Sequence, residues 1–354
     1  MSKQIIPIIM DNNFNKLCLL ENYKSLIWTT RYYDHGDFEI TLPFNELLVQ
    51  ACQCSYYVMR TDDDNVGIIE SVDARVTETN ERYFTIKGRF LTQILARRII
   101  AEQTQVSGTV ASCINKLITD AIISPSIPER QISNFILGDY TTSETMEAQY
   151  TGKNLFTVIH DICQQYGLGI KITLNSSNQF VFQIYQGTDR SYNQDVNPHI
   201  AFSENMDNLI NAEFEVDFKN VITAVLAAGE GEGTARKTIW AATDKLSVLT
   251  ATGLYRYEYF LDARNTSTDE GEISDTDYYN QLTELAKEQF TTYETKSSGE
   301  VNFQFLEYGT DINIGDLVSI IDETVGLNTT VRIIEVIESI DASGMYQLIP
   351  TFGV

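Results

Sequence analysis

The rhythm of hydrophobic and polar positions changes twice along the chain. Up to about Arg89 the period is two. Leu17 to Leu20 is a short apolar run. Ser25 to Tyr33 and Asp37 to Leu42 read as strands on either side of an Asp34-His35-Gly36 turn. Tyr56 to Arg60 and Val66 to Val76 flank the polar cluster Asp62-Asp63-Asp64-Asn65, and Tyr83, Thr85 and Lys87 alternate with Phe84 and Ile86. Helical spacing follows. Phe90, Leu91, Ile94 and Leu95 recur at three and four, as do Val110, Cys113, Ile114, Leu117 and Ile118, until Pro125 and Pro128 close the region. Leu155, Val158, Ile159, Ile162 and Tyr166 predict an amphipathic helix. Gly167 is placed to cap it, because a helix end needs a residue that takes the left-handed conformation. Leu168 to Leu174 and Phe180 to Tyr185 predict a hairpin around Asn175-Ser176-Ser177-Asn178.

From about Ile200 the alternation returns. Leu209 to Phe218 sets Phe214, Val216 and Phe218 against Glu213, Glu215 and Asp217. Val221 to Ala228 runs into Gly229-Glu230-Gly231-Glu232-Gly233, and Thr238 to Ala242 follows. Tyr255, Tyr257 and Tyr259 are predicted on one face of a strand, with Arg256, Glu258 and Phe260 on the other. Asp262 to Thr276 reads as an exposed loop. Asp275 is placed to cap a helix near 276–293 with Tyr279, Leu282, Leu285, Ala286 and Phe290 inward. Glu300–Leu306, Leu317–Ile321, Thr330–Ile340 and Gln347–Thr351 are the last strand-like runs. This order predicts a β-dominated α+β fold. The expected division is a β-rich stretch 1–95, a mixed α/β stretch 96–200 and a β-rich stretch 201–354 that carries the long helix. A length of 354 residues fits two or three domains at about 100–200 residues each.

Charge narrows the function classes. The chain carries 49 acidic and 25 basic residues, a formal net charge of −24. Such a surface repels nucleic acid and anionic membranes, since stable DNA binding needs Lys and Arg to displace counterions. The opening Met1 to Pro7 is too short and too interrupted for a signal peptide, and no run reaches the roughly 18 apolar residues of a membrane span. Synthesis in a cytosol is the expectation. Five scattered cysteines fit reduced thiols. The sequons at Asn175, Asn265 and Asn328 carry no weight without a secretory signal.

Candidate chemistry is sparse. Asp62-x-Asp64-x-Val66-Gly67, with Asp73 at the twelfth position, resembles part of a calcium loop. Its fifth position is Val and strands flank it, so an acidic hairpin turn is the favoured reading. Gly229 to Gly233 has the glycines of a phosphate cradle, but Glu230 and Glu232 would repel phosphate and a strand follows instead of a helix. Gly152-Lys153 before a helix lacks a P-loop's first glycine, because Glu147 occupies that position. His35, His160 and His199 have no metalloprotease spacing, no Gly-x-Ser-x-Gly elbow occurs, and Cys52-x-Cys54 has no second pair. Glycosidase chemistry depends on the spatial separation of two carboxylates, which sequence does not supply. No catalytic, cofactor-binding or metal residue is assigned.

Non-catalytic motifs are more specific. The run Ser25-Leu26-Ile27-Trp28-Thr29-Thr30-Arg31-Tyr32-Tyr33-Asp34-His35-Gly36-Asp37-Phe38-Glu39-Ile40-Thr41-Leu42-Pro43 resembles the opening of the tail-associated, or tail-hub, proteins of long-tailed siphophages. Tyr57-Val58-Met59-Arg60, Gly67-Ile68-Ile69-Glu70, Gly88-Arg89, Asn220-Val221, Gly229 to Gly233, Arg236, Gly315-Asp316-Leu317-Val318 and Pro350-Thr351-Phe352-Gly353 follow in the family's order. Bottom-up these are scaffold features: Trp28 and Phe38 anchor a β-core across the Gly36 turn. The resemblance implies a fold similar to the trimeric baseplate hub of contractile phages, with two barrel-like tube domains and mixed peripheral domains. It implies a homotrimer at the distal end of a tail tube, made in the bacterial cytoplasm. The implied partners are a distal tail protein ring, a tape-measure protein, other tail-tip or receptor-binding proteins, and DNA only in transit. The chain stops just after the family's closing motif, which implies that another tail protein does lytic or receptor-binding work. The hub of a phage-derived particle such as a tailocin, a cell-wall hydrolase subunit and a glycan-binding tail module stay open as alternatives.

Overall fold

The computed structural model describes residues 5–76, 80–217, 219–243, 251–266, 273–291, 294–301, 306–322 and 327–353. The first stretch is a set of antiparallel strands: β1 (Ile8–Met10), β2 (Lys16–Leu19), β3 (Ser25–Arg31), β4 (Asp37–Pro43), β5 (Tyr57–Met59), β6 (Val66–Val76) and β7 (Arg82–Phe90). Helix α1 (Glu46–Ala51) lies between β4 and β5, and the single turn α2 (Gln93–Ala96) follows β7. The middle holds β8 (Thr104–Thr109), α3 (Val110–Ile118), β9 (Phe135–Leu137), β10 (Thr145–Tyr150), α4 (Leu155–Tyr166), β11 (Gly169–Leu174) and β12 (Phe180–Tyr185). The last stretch holds β13 (Ala201–Phe202), β14 (Leu209–Asp217), β15 (Ala224–Ala228), β16 (Thr238–Ala242), β17 (Glu258–Asp262), α5 (Asp275–Lys287), β18 (Glu294–Val301), β19 (Leu317–Asp322), β20 (Leu327–Ile340) and β21 (Tyr346–Gly353).

Alternation explains the strands. Along β7 every second side chain from Phe84 to Phe90 is buried, so one face of the strand turns inward. The long helical spacing in the middle becomes α4. The Asn154 side chain accepts hydrogen bonds from the N–H groups of Phe156 and Thr157 at its start, and Gly167 ends it with φ of +65°.

The two ends of the chain build one sheet. Its order is β14-β18-β21-β20-β3-β4-β7-β6-β5-β1-β2, with β19 on β20 and β13 on β19. The join is the antiparallel pair β3·β20, in which Trp28 faces Glu338 and Arg31 faces Glu335. One core lies under the first part of this sheet around Trp28, Phe38, Phe84 and Phe90. Another lies under the last part around Phe202, Val318, Ile333 and Phe352. The architecture is β-dominated as expected, and among the described residues the strands do not close into a barrel.

A third core joins the middle stretch to an excursion between β14 and β18. It contains Ile114, Ile159 and Phe182 from the middle together with Val225, Tyr278 and Leu282. In that excursion β15 is the centre of a three-stranded sheet, antiparallel to β16 and parallel to β17, and α5 packs on it.

Several local expectations shift. Ser274, not Asp275, caps α5 by accepting from the Asp277 N–H, and Asp275 becomes the first helical residue. Tyr278, one turn ahead of Leu282, is the buried tyrosine of this helix, while Tyr279 is only half-buried. The strand expected from Tyr255 begins at Glu258, because its partner β15 starts at Ala224 opposite Glu258; Tyr255 lies in a single 3-10 turn. Phe218, residues 267–272 of the polar loop, the last two residues of the expected 276–293 helix and residues 302–305 of the Glu300–Leu306 run fall outside the described residues.

Candidate assembly site at the seam between the two chain ends

Arg60 closes β5 and is 1% exposed. A buried guanidinium needs partners on all sides. It pairs with Asp62 at 2.7 Å and with Glu338 of β20 at 2.8 Å, and its guanidinium carbon lies 5.3 Å from the Trp28 ring centre. The Trp28 indole N–H donates to Asp63 at 2.6 Å, and Asp63 also accepts from the Asn65 backbone and side chain. Burial pushes the Asp63 carboxyl up, against the pull of these donors and of Arg60. The Tyr346 hydroxyl donates to Glu338 at 2.8 Å, and burial followed by that carboxylate raises its own pKa. The network ties β3, β5 and the β5–β6 turn to β20 and β21.

The acidic residues of the calcium-loop pattern are spread over different surroundings in the fold. Asp62 pairs with Arg60, and Asp63 is held by Trp28 and Asn65. Asp64 faces Lys171 at 4.0 Å. Asp73 stands on β6 opposite Thr85. The segment is a hairpin turn between β5 and β6. Among the described residues no group of three His, Cys, Asp or Glu is arranged to hold a metal ion.

A second junction is centred on Tyr32, fully buried just past β3. Its hydroxyl donates toward the carbonyls of Gly167 and Tyr185 and accepts from the Gly187 N–H. Its ring lies under the Arg332 guanidinium at 5.1 Å and edge-on to Tyr185. Burial raises its pKa to about 12. Gly315 takes φ of +91° and approaches so closely that a Cβ there would sit 2.2 Å from the Tyr32 ring. The next residue, Asp316, is 2% exposed; it accepts from the Thr188 and Asn313 N–H groups and pairs with Arg190 at 3.0 Å. Gly315-Asp316 thus acts as a turn and also as a clasp on the middle stretch. Between the junctions Arg31 bridges Asp37 at 2.5 Å and Glu335 at 2.6 Å.

Other singled-out residues have defined surroundings in the fold. Gly229 is a glycine because Tyr278 approaches: a Cβ there would meet its hydroxyl at 2.1 Å, and that hydroxyl accepts from the Glu230 N–H. His160 lies on α4 with Nδ1 3.1 Å from Asp161. The His35 ring packs 4.3 Å from that of Phe156, and burial lowers its pKa. Cys52 is buried and Cys54 exposed, with all described cysteines free. Sequence reading missed Arg60, Tyr32, Arg190 and Glu338 as junction residues. The available signal was a charged residue set in an apolar strand run, as Glu338 is between Ile337 and Ile340.

The described architecture is that of phage tail proteins. A tail protein from Neisseria meningitidis MC58 superposes with a TM-score of 0.58 at 13% identity, covering 99% of this chain and 97% of that one. The 43 kDa tail protein of prophage MuSo2 from Shewanella oneidensis gives 0.56 at 13%, covering 98% of each chain. Prophage tail protein gp18 from Listeria monocytogenes EGD-e gives 0.55 at 12%, covering 98% of this chain and 94% of that one. The family model described as Siphovirus ReqiPepy6 Gp37-like protein matches residues 6–354, and the chain belongs to that family of siphovirus tail proteins. No curated protein matches by sequence.

Proposed function

We propose that the protein is the structural hub at the distal end of a siphophage tail tube, assembling as a homotrimer on the ring of distal tail protein. The single observation that carries this reading is the seam. Strand sets from the two ends of the chain meet at β3·β20 in one sheet, and the buried Arg60–Glu338 pair together with the half-buried Arg31–Glu335 pair spans the join. Each copy then brings two sheet halves, and three copies bring six, which matches a six-fold ring. The stretches 1–95 and 201–354 supply the tube parts, and 96–200 the periphery. The core shared by the middle stretch and α5 supports placing the 219–291 excursion outside as well.

In this role the hub closes or lines the exit channel, meets the tape-measure protein on its inner side and passes DNA after that protein leaves. It carries no enzymatic activity of its own; tail-tip position and assembly in the host cytoplasm belong to the same reading. The net charge of −24 makes an acidic channel wall the expected one, so that transiting phosphate is repelled. Mass measurement in solution followed by particle imaging tests the reading. A trimer with a three-fold axial opening supports it. A particle in which this chain lies elsewhere than the distal tube end overturns it, and a neutral or basic axial wall removes the electrostatic part. Peptidoglycan cleavage by the purified chain, lost on a single carboxylate change, would instead establish a hydrolase subunit.

A further inference from the structure

With 49 acidic residues against 25 basic ones, arginines of this chain readily find carboxylates. Arg31, Arg60, Arg89 and Arg190 each form an ion pair. Arg97, Arg98 and Arg130 do not: among the described residues no carboxylate lies within pairing distance of them. Arg97 caps the single turn α2, Arg98 follows it, and Arg130 ends the 3-10 turn Pro128–Arg130. Backbone carbonyls fix two of them in place. The Arg98 guanidinium donates to the Arg130 and Arg97 carbonyls, each at 3.2 Å, and the Arg130 guanidinium donates back to the Ile99 carbonyl. Arg97 donates to the Gln93 side chain at 2.8 Å. All these acceptors are neutral, so the side chains are oriented while their charge stays uncompensated.

Neighbouring carboxylates are engaged elsewhere. Glu70 is held by Arg89 at 2.8 Å, Asp120 pairs with Lys116 at 2.7 Å, and Glu102 accepts from the Ser126 hydroxyl. Burial, followed by Arg130 and Arg97, lowers the Arg98 pKa, so like charges crowd one another here. Arg130 also lines a cavity of about 410 Å³ between residues 99–105 and α3, together with Glu102 and the Lys116–Asp120 pair. Ile99 and Ile127 are each 51% exposed. The Ile99 carbonyl holds the Arg130 guanidinium and the Ile127 carbonyl accepts from the Arg130 N–H at 3.0 Å, so both isoleucines border the patch. Three unpaired guanidiniums call for an anion, and their surroundings select its kind. A nucleic acid is a long run of phosphates; past the patch it meets Glu102, Asp120 and Glu129 in a chain of net charge −24, and it gains nothing from isoleucine. An acidic stretch of polypeptide brings a few carboxylates that match the guanidinium forks, with apolar side chains between them.

We propose that this patch docks an acidic segment of a partner polypeptide, with carboxylates on Arg97, Arg98 and Arg130 and apolar side chains on Ile99 and Ile127. The site goes beyond the hub reading and does not depend on it. The probe is a fluorescein-labelled peptide, Gly-Glu-Glu-Leu-Glu-Glu-Leu-Gly, titrated with the full chain and followed by anisotropy. Binding should saturate, and it should be lost in about 1 M salt, where the screening length falls to roughly 3 Å. Arg97→Glu leaves the Arg98–Arg130 clasp in place and should weaken binding about tenfold or more, with an unchanged circular dichroism spectrum. Arg75→Glu makes the same change in net charge on the exposed end of β6 and should bind as wild type does. No anisotropy change with wild type overturns the site, as does equal weakening by both variants, which leaves only overall charge at work. An oligothymidylate probe that binds as tightly as the peptide overturns it in favour of nucleic acid. Self-association that Arg97→Glu removes, without peptide binding, overturns it and assigns the patch to contact between copies. None of these outcomes alters where the chain lies in the particle, which tests the hub.

Discussion

Arg60 and Glu338 are 278 positions apart in the chain and 2.8 Å apart in the fold. The pair sits at the seam where the early strands meet the late ones, with Asp62 and Tyr346 completing the shell around it. Removing one partner leaves a buried charge only partly compensated. Glu338→Ala should therefore cost about 3–5 kcal/mol in urea unfolding. The double variant Arg60→Met/Glu338→Leu should recover much of that loss, since it removes the buried charges together. A double variant no more stable than Glu338→Ala would show that the pair does more than neutralise itself.

The Tyr32 junction makes a second prediction. Gly315→Ala brings a Cβ into the Tyr32 ring and places a side chain at φ of +91°. It should cost about 1–3 kcal/mol. Tyr32→Phe keeps the ring but leaves the Gly187 N–H and two carbonyls without the hydroxyl, at about 1–3 kcal/mol. Proteolysis should then cut first near Gly187, where the middle stretch is clasped. Unchanged cleavage in both variants would argue against a clasp.

Stability should also fall with rising pH through Glu288. Burial pushes its carboxyl up to about 7 from an ordinary 4.5, against the pull of Lys153 and of the Tyr150 hydroxyl, while Asp161 and Glu284 push further. Tyr150 donates to Glu288 at 2.5 Å, linking β10 to the end of α5. A raised folded-state pKa means that the fold holds a proton the unfolded chain has already lost. The contribution is fully present below about pH 4.5 and is lost as pH rises to about 7. Glu288→Gln should remove this slope, raising the melting temperature relative to wild type at pH 8 but not at pH 4, by an amount that corresponds to at most about 3 kcal/mol. Parallel pH profiles of the two proteins would refute the assignment.

Calcium should leave the protein unchanged. In the β5–β6 turn Asp62 and Asp63 are held by Arg60, Trp28 and Asn65, and the exposed Asp64 lies 4.0 Å from Lys171. A ligand that bound the fold alone would raise the melting temperature with its concentration. Thermal scans with and without millimolar calcium should coincide, and a calcium-dependent rise would restore the cation-loop reading.

The sequence was most legible where structure is local. Helix α4 showed its inward stripe, and Gly167 marked its end because only a left-handed cap fits there. The hairpin of β11 and β12 was visible in alternation about an Asn-rich turn. Helix α1 was missed because none of its residues is buried, so it shows no periodic stripe; Asn45 was its only cue. Tyr278 and Tyr279 are adjacent and chemically alike, and packing against Gly229 and Leu282 decides between them. The seam could not be read from spacing at all. Nothing local in Trp28 or Glu338 announces a partner in the other end of the chain, although the order of the motifs across the whole length did point to the tail-protein family.

The pairing of β3 with β20 also governs how the protein is made. Arg31 leaves the ribosome 304 residues before its partner Glu335, a delay of roughly 15–60 s at about 5–20 residues per second. Through that interval the nascent chain carries β3 with one side unpaired and Arg60 without Glu338. A bare strand edge is a template for pairing with neighbouring chains on the same polysome. Yield of soluble protein should therefore depend on chaperone supply and translation speed more than on the stability of the finished fold.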